Sequence, residues 1–350
     1  MNQPIAGASL FDRVVSTLFG RADVKDDAGQ QLIGDMIEMI VDTVEPRVRL
    51  RKGYQKKLEG CVGATIAYLR SIGKTPLEPV LLTRANWSED ARVSAFFARA
   101  DDVPAFLGRS KELRAFFDDP ANAGAEEAFA LLAMKKEEKT IFAPRFEDGL
   151  AKQEVAQTAV NFSDHRLVAP SATEQQTRVE IGRRIIRRLA QVALGRIIAL
   201  DEKAVDLEQH KGYLGTRLRM LHLARDGMEG IVDDPATIGE QIRAVERSLK
   251  ETVDSYIETK SSLATLDGYI GQIDAIFSHP EAHVALTQSD LRINRMGIKV
   301  GSDAEEGHHA LTLAELTVGE KLRGAIALVR CPRSELPPKE DLIANAERYL

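Results

Sequence analysis

Ser163, Asp164 and His165 supply the three residue types of a nucleophile, an orienting acid and a base, but they stand side by side. Such a relay needs its groups delivered from separate parts of a fold, and neighbouring residues of a strand point to opposite faces. The run is therefore expected to be a polar strand end, with His165 as the residue best suited to acid–base work. Two histidine clusters carry metal-capable side chains. Glu305, Glu306, His308 and His309 share a glycine-containing stretch, where adjacent histidines rarely converge on one ion, and a solvated loop is expected. His279 and His283 are spaced i,i+4, but they sit at a helix start and lack the glutamate position of a zinc protease, so a capping segment is expected. Gly73-Lys74-Thr75 ends like a phosphate-binding loop. The glycine required five residues earlier is Tyr68, and a helix rather than a strand precedes it, so Gly73 reads as a helix C-terminus. No catalytic residue, metal site or cofactor is assigned.

Two basic patches are better candidates for recognition. Arg47, Arg49, Arg51, Lys52, Lys56 and Lys57 surround Tyr54, whose ring suits stacking on a base. Arg183, Arg184, Arg187 and Arg188 cover one face of a helix. Clusters of this kind neutralise phosphates. They are opposed by a formal net charge of −6, so affinity for nucleic acid would have to be local.

The elements that carry these residues are dominated by a heptad pattern. Val179, Ile186, Ala193, Leu200, Leu207, Leu214 and Leu221 recur every seven residues, with Ala190, Ile197, Ala204 and Leu218 in the second seam position. Arg183 and Lys211 interrupt that seam. A second arm repeats Ile242, Leu249, Tyr256, Leu263, Ile270 and Phe277, with Val245, Thr252, Thr259, Leu266 and Ile273 beside them. The spacing predicts two long helices joined by a turn-rich stretch ending at Pro235, and hence an antiparallel coiled-coil hairpin. The first arm has eleven Lys/Arg against six Asp/Glu between Glu174 and Arg225. The second has four against seven between Gly239 and Phe277, an opposition that favours their pairing.

Before the hairpin, amphipathic helices are expected at 8–22, 28–44 and from Val62 to about Gly73. Three short ones follow at 88–100, 102–108 and 110–117, and helix returns at 124–136. The short helices carry the densest aromatic cluster in the chain, from Trp87 to Phe117. β-formers dominate around the turn at Glu147-Asp148-Gly149 and again in 291–300 and 311–331, with a turn at Val318–Lys321. The expected fold is thus mainly α. It comprises a helical domain at 1–138, a small β-platform split between 139–171 and 289–332, the hairpin at 172–278, and a C-terminal tail helix within 333–350.

Cys61 and Cys331 form no metal or redox motif, and no apolar run approaches the eighteen residues of a membrane span. A cytoplasmic location follows as the expectation. The leading functional expectation is a non-enzymatic interaction or scaffolding protein. It would bind a protein partner, or self-associate, through Leu200, Leu207, Leu214, Leu249, Leu263 and Ile270. The alternatives are nucleic-acid binding through Arg47, Arg49, Arg51, Lys52, Tyr54, Arg183, Arg184, Arg187 and Arg188, and a metal-dependent or histidine-based hydrolase.

Overall fold

A computed structural model describes residues 27–147, 150–226, 235–294, 296–300, 308–320 and 322–338. The helices expected at 8–22 and within 339–348 lie outside them, as does most of the Glu305–His308 cluster. The chain is mixed α/β, which corrects the expectation of a mainly α fold. Its helices are α1 (Asp27–Val44), α2 (Tyr54–Gly73), α3 (Ala91–Phe96), α4 (Asp102–Arg109), α5 (Lys111–Asp118), α6 (Glu174–Asp226), α7 (Pro235–Ser261) and α8 (Leu266–Phe277). A six-stranded sheet is built from β1 (Val80–Leu81), β2 (Glu127–Glu147), β3 (Leu150–Ser171), β4 (Val284–Asn294), β5 (His308–Val318) and β6 (Leu322–Pro332).

The clearest departure from the sequence pattern is β2. Its first half, EAFALLAM, consists of good helix formers, yet it pairs antiparallel with β6 from Glu127↔Pro332 to Met134↔Ala325. Ala128, Ala130, Leu132 and Met134 are buried on one face and Leu131 on the other. A strand covered on both faces has no polar alternation to betray it, and tertiary pairing overrides local propensity. The strand order is β3-β2-β6-β5-β4, antiparallel throughout, with β1 adding parallel pairs at Val80↔Val329 and Leu81↔Arg330. The expected turn after Val318 is present, with Gly319 at φ 64.

The chain divides into two compact units. In the first, which contains the sheet, α3, α4 and α5 lie against one sheet face. Val93, Phe96, Val103, Leu107, Leu113 and Phe117 meet Ala128, Leu132, Phe162, Leu313 and Val329 in one buried cluster. Elsewhere in this unit, the Thr177 hydroxyl donates to the Phe129 carbonyl at 2.9 Å and the Tyr68 hydroxyl donates to that of Val284 at 2.7 Å.

The second unit contains most of α6, all of α7 and α8, and residues 33–65. Lys57, Cys61 and Thr65 lie one turn apart on α2 and face α8. Lys57 binds Asp267 at 2.8 Å, Asp274 faces Cys61, and the Thr65 hydroxyl donates to the Phe277 carbonyl at 2.7 Å. The two helices therefore run in the same direction. The second arm of the hairpin is not one helix, because α7 stops at Ser261 and α8 starts at Leu266. Serine and threonine side chains that compete for backbone groups explain the break. The Ser261 and Ser262 hydroxyls turn back to the carbonyls of Glu258 and Thr259, and Thr265 caps α8 through the Gly268 amide. A Cβ on Gly268 would meet the Ser262 carbonyl oxygen at 2.2 Å, so only glycine allows this approach.

Candidate functional site

Two features have the geometry to recognise another molecule: the outer surface of the α6/α7 hairpin in the second unit, and a cavity beside the sheet in the first. Helix α6 is 53 residues long, or on the order of 80 Å at ~1.5 Å per residue. Two contacts set its pairing with α7. Asp201 reaches Lys260 at 3.9 Å, and the Lys211 ammonium lies 4.7 Å from the centre of the Tyr256 ring. As numbers rise along α6 they fall along α7, so the helices are antiparallel. Lys211 is a charge in the seam, and the face of Tyr256 accommodates it.

The six leucines and isoleucines expected to meet a partner are used within the chain. Leu214 and Ile270 are buried, and Leu200, Leu207, Leu249 and Leu263 are half-buried. Leu263 falls in the break between α7 and α8. The exposed apolar side chains of α6 are others: Ile198, Val205, Tyr213, Met220 and Leu223, which are 47–69% exposed. At about 100° per residue they fall within about 80° of one another, on the side of the helix roughly opposite the seam. Their spacings of seven, eight, seven and three residues follow no single repeat.

The first basic patch is largely neutralised, and the second is neutralised only at Arg184. Arg47 pairs with Glu45, Arg49 with Glu38 and Asp42, and Arg51 and Lys57 share Asp267. Tyr54 donates to Glu38 rather than standing free for a base, and that hydrogen bond is the largest influence holding the Glu38 carboxyl below its usual range. Lys52 makes no ion pair among the described residues. In the second patch Arg184 forms a fork to Glu112 at 2.8 and 3.1 Å and also meets Glu180. Arg188 donates to Gln191, Arg187 is exposed, and the Arg183 Nε is buried without a partner.

The cavity, about 1310 Å³, lies where α3, α4 and α5 meet β3 and Ile293, Asn294, Met296 and Gly297. A bulge in β3 builds its centre. Ala133 pairs with Arg166 and Lys135 with Ser163, so Asp164 and His165 both stand opposite Met134, and Asp164 takes φ 53. Bulges of this kind redirect side chains locally. The His165 ring reaches the C-terminus of α3, where helix carbonyls lack partners of their own. Its Nε2 lies 2.8 Å from the Phe96 carbonyl, and the Trp87 Nε1 donates to the next carbonyl, that of Phe97, at 2.7 Å. A carbonyl only accepts, so Nε2 carries the proton and, in the neutral ring, Nδ1 is the acceptor. The imidazole stacks on Phe97 at 4.9 Å and meets the edge of Phe106 at 5.8 Å. Burial is the largest influence on its pKa and lowers it, outweighing the Phe96 carbonyl and the carboxylates of Asp164 and Asp102.

His165 is thus a half-buried helix cap in a cavity wall. Among the described residues no hydroxyl or thiol is hydrogen-bonded to it, so the arrangement lacks the nucleophile–base contact of a hydrolase. His309, from β5, lines the same cavity, while His279 and His283 lie at the end of the α8 region and the start of β4. Among the described residues no three His, Cys, Asp or Glu side chains gather to hold a metal, and no helix is long and apolar enough to cross a membrane. No protein-family model, curated protein or solved structure matches the chain.

Proposed function

We propose that this chain is a non-enzymatic interaction protein that receives an acidic, amphipathic helix of a partner along the outer face of α6. The observation that carries this reading is the second apolar stripe, Ile198–Val205–Tyr213–Met220–Leu223, exposed opposite the seam that α7 occupies. A surface helix needs one apolar face to join its own fold, and these side chains, mostly about two turns apart with Glu202, Gln209 and Thr216 between them, form a second, interrupted apolar line that stays exposed. The chemistry of the occupant follows from the charges flanking the far end of the stripe. Arg217 and Arg219 make no ion pair among the described residues, and the only carboxylate of that last stretch, Asp226, is held by Arg225 at 2.9 Å. An apolar helix edged with Asp and Glu complements such a face, in the manner of helix-in-groove recognition.

The test is site-specific photocrosslinking in the native host, with the photoreactive residue placed at Tyr213, at Met220 and, as a control, at exposed Arg243 on α7. The expected result is one partner trapped from both α6 positions and not from α7, through a segment with heptad apolar residues and acidic flanks. Adducts to a second copy of this chain, adducts through a basic segment, or none above the control would each overturn the proposal.

A further inference from the structure

We propose that the cavity around His165 is a binding site for a flat aromatic anion, independently of the hairpin. Aromatic rings line it in two groups: Phe97 stacks on the imidazole with Phe106 against both, and Phe96 meets Phe162 edge-on at 5.2 Å; of these, Phe106 and His165 are only half-buried. Stacked and edge-on rings of this kind offer planar ligands both dispersion and quadrupole contacts. The volume exceeds the ~300–1,000 Å³ usual for small-ligand pockets, so a two- or three-ring molecule enters with its water.

The charge of the ligand follows from which cavity groups are already satisfied. Asp102 is bound by Arg99 at 3.1 Å, and Glu112 is held by Arg184 and by the Ala169 amide. Three cations that line the cavity, Arg109, Lys111 and Arg166, make no ion pair among the described residues, and two carboxylates are comparably free near them, Glu89 in the lining and Asp164 beside His165. The excess is positive and exposed at the rim, while the aromatic wall is buried or half-buried. An anionic head group at the rim and a planar body against Phe106 and the His165 ring satisfy both. With Nε2 committed to the Phe96 carbonyl, the His165 Nδ1 is left to accept a ring N–H or hydroxyl from such a body.

Trp87, the only tryptophan of the chain, lines the cavity and serves as an internal reporter. The full-length protein is titrated with 1-anilinonaphthalene-8-sulfonate, and energy transfer from Trp87 is read alongside the probe's own emission. The uncharged N-phenyl-1-naphthylamine is titrated in parallel. The expected result is saturable binding of the sulfonate that weakens on the order of tenfold or more in the double variant Lys111→Glu/Arg166→Glu, with the uncharged probe at least about tenfold weaker. Both substituted side chains are exposed, and circular dichroism confirms that the variant is folded. Competition with AMP and with 2-naphthoate then identifies phosphate or carboxylate as the head group, by which of them displaces the probe. Equal binding of the charged and uncharged probes, indifference to the double charge reversal, or displacement by neither competitor would overturn the proposal.

Discussion

Replacing His165 with Phe separates the capping role of the imidazole from its ring contacts. The substituted ring keeps the stack on Phe97 but donates nothing to the Phe96 carbonyl, for which no other donor is found among the described residues. Phe96 is buried, and leaving a buried acceptor unpaired costs about 1–3 kcal/mol. The loss must also depend on pH. Burial disfavours the imidazolium, so the folded protein takes up its proton at lower pH than the unfolded chain, whose histidines titrate near ~6.5. Below that pH the unfolded state binds more protons, and this residue's contribution to stability falls at up to about 1.4 kcal/mol per pH unit. Histidine at 165 is therefore most stabilising at pH 8, and its advantage over Phe narrows between pH 6.5 and 5. Urea unfolding of both proteins, followed by Trp87 fluorescence, measures the difference at each pH. A difference below about 0.5 kcal/mol at pH 8, or one that stays constant down to pH 5, would refute the capping argument.

Adjacent residues of α6 should behave oppositely. Leu214→Asp buries an unpaired carboxylate where only 5% of the residue is exposed, and should cost about 3 kcal/mol or more. Tyr213→Glu, at a position 59% exposed, should leave thermal unfolding within about 0.5 kcal/mol of the parent while abolishing partner crosslinking. Gly297→Ala should destabilise by about 1–3 kcal/mol in chemical denaturation, because φ is +73 and the new Cβ would lie 2.9 Å from the Val160 carbonyl oxygen. Both cysteines should resist a thiol reagent at pH 8 until urea is added. Burial pushes the Cys61 thiol up to about 12 and raises Cys331 as well, so neither supplies thiolate in the folded protein, and prompt native-state labelling would contradict this.

The parts of the fold that were legible in the sequence are those with one partner and one period. The seam of α6 and the amphipathic α1 each bury one face and leave the other to water, so the pattern of residue types records the packing, while the β-formers on either side of Glu147 announce the pairing of β2 with β3. Residues 127–134 were illegible for the opposite reason: neighbours cover both faces, and Ala and Leu satisfy that environment while favouring helix in isolation. The break at Ser262–Thr265 leaves no mark in the residue pattern because Leu263 and Leu266 keep the heptad phase across it. The cavity has no linear signature. His165 was singled out by type, but the Phe96 carbonyl that fixes its role lies 69 residues away, and the bulge that places it shows in no residue pattern.

The two opposed stripes of α6 bear on how this chain can change in length. Each residue inserted into a helix turns everything beyond it by about 100°. An insertion in α6 between Val205 and Tyr213 would therefore rotate the far half of the outer stripe away from the near half, and the seam away from α7, in the same step. Length variants of this protein that keep both surfaces must add or remove close to whole pairs of turns, about seven residues, in α6 and in α7 together.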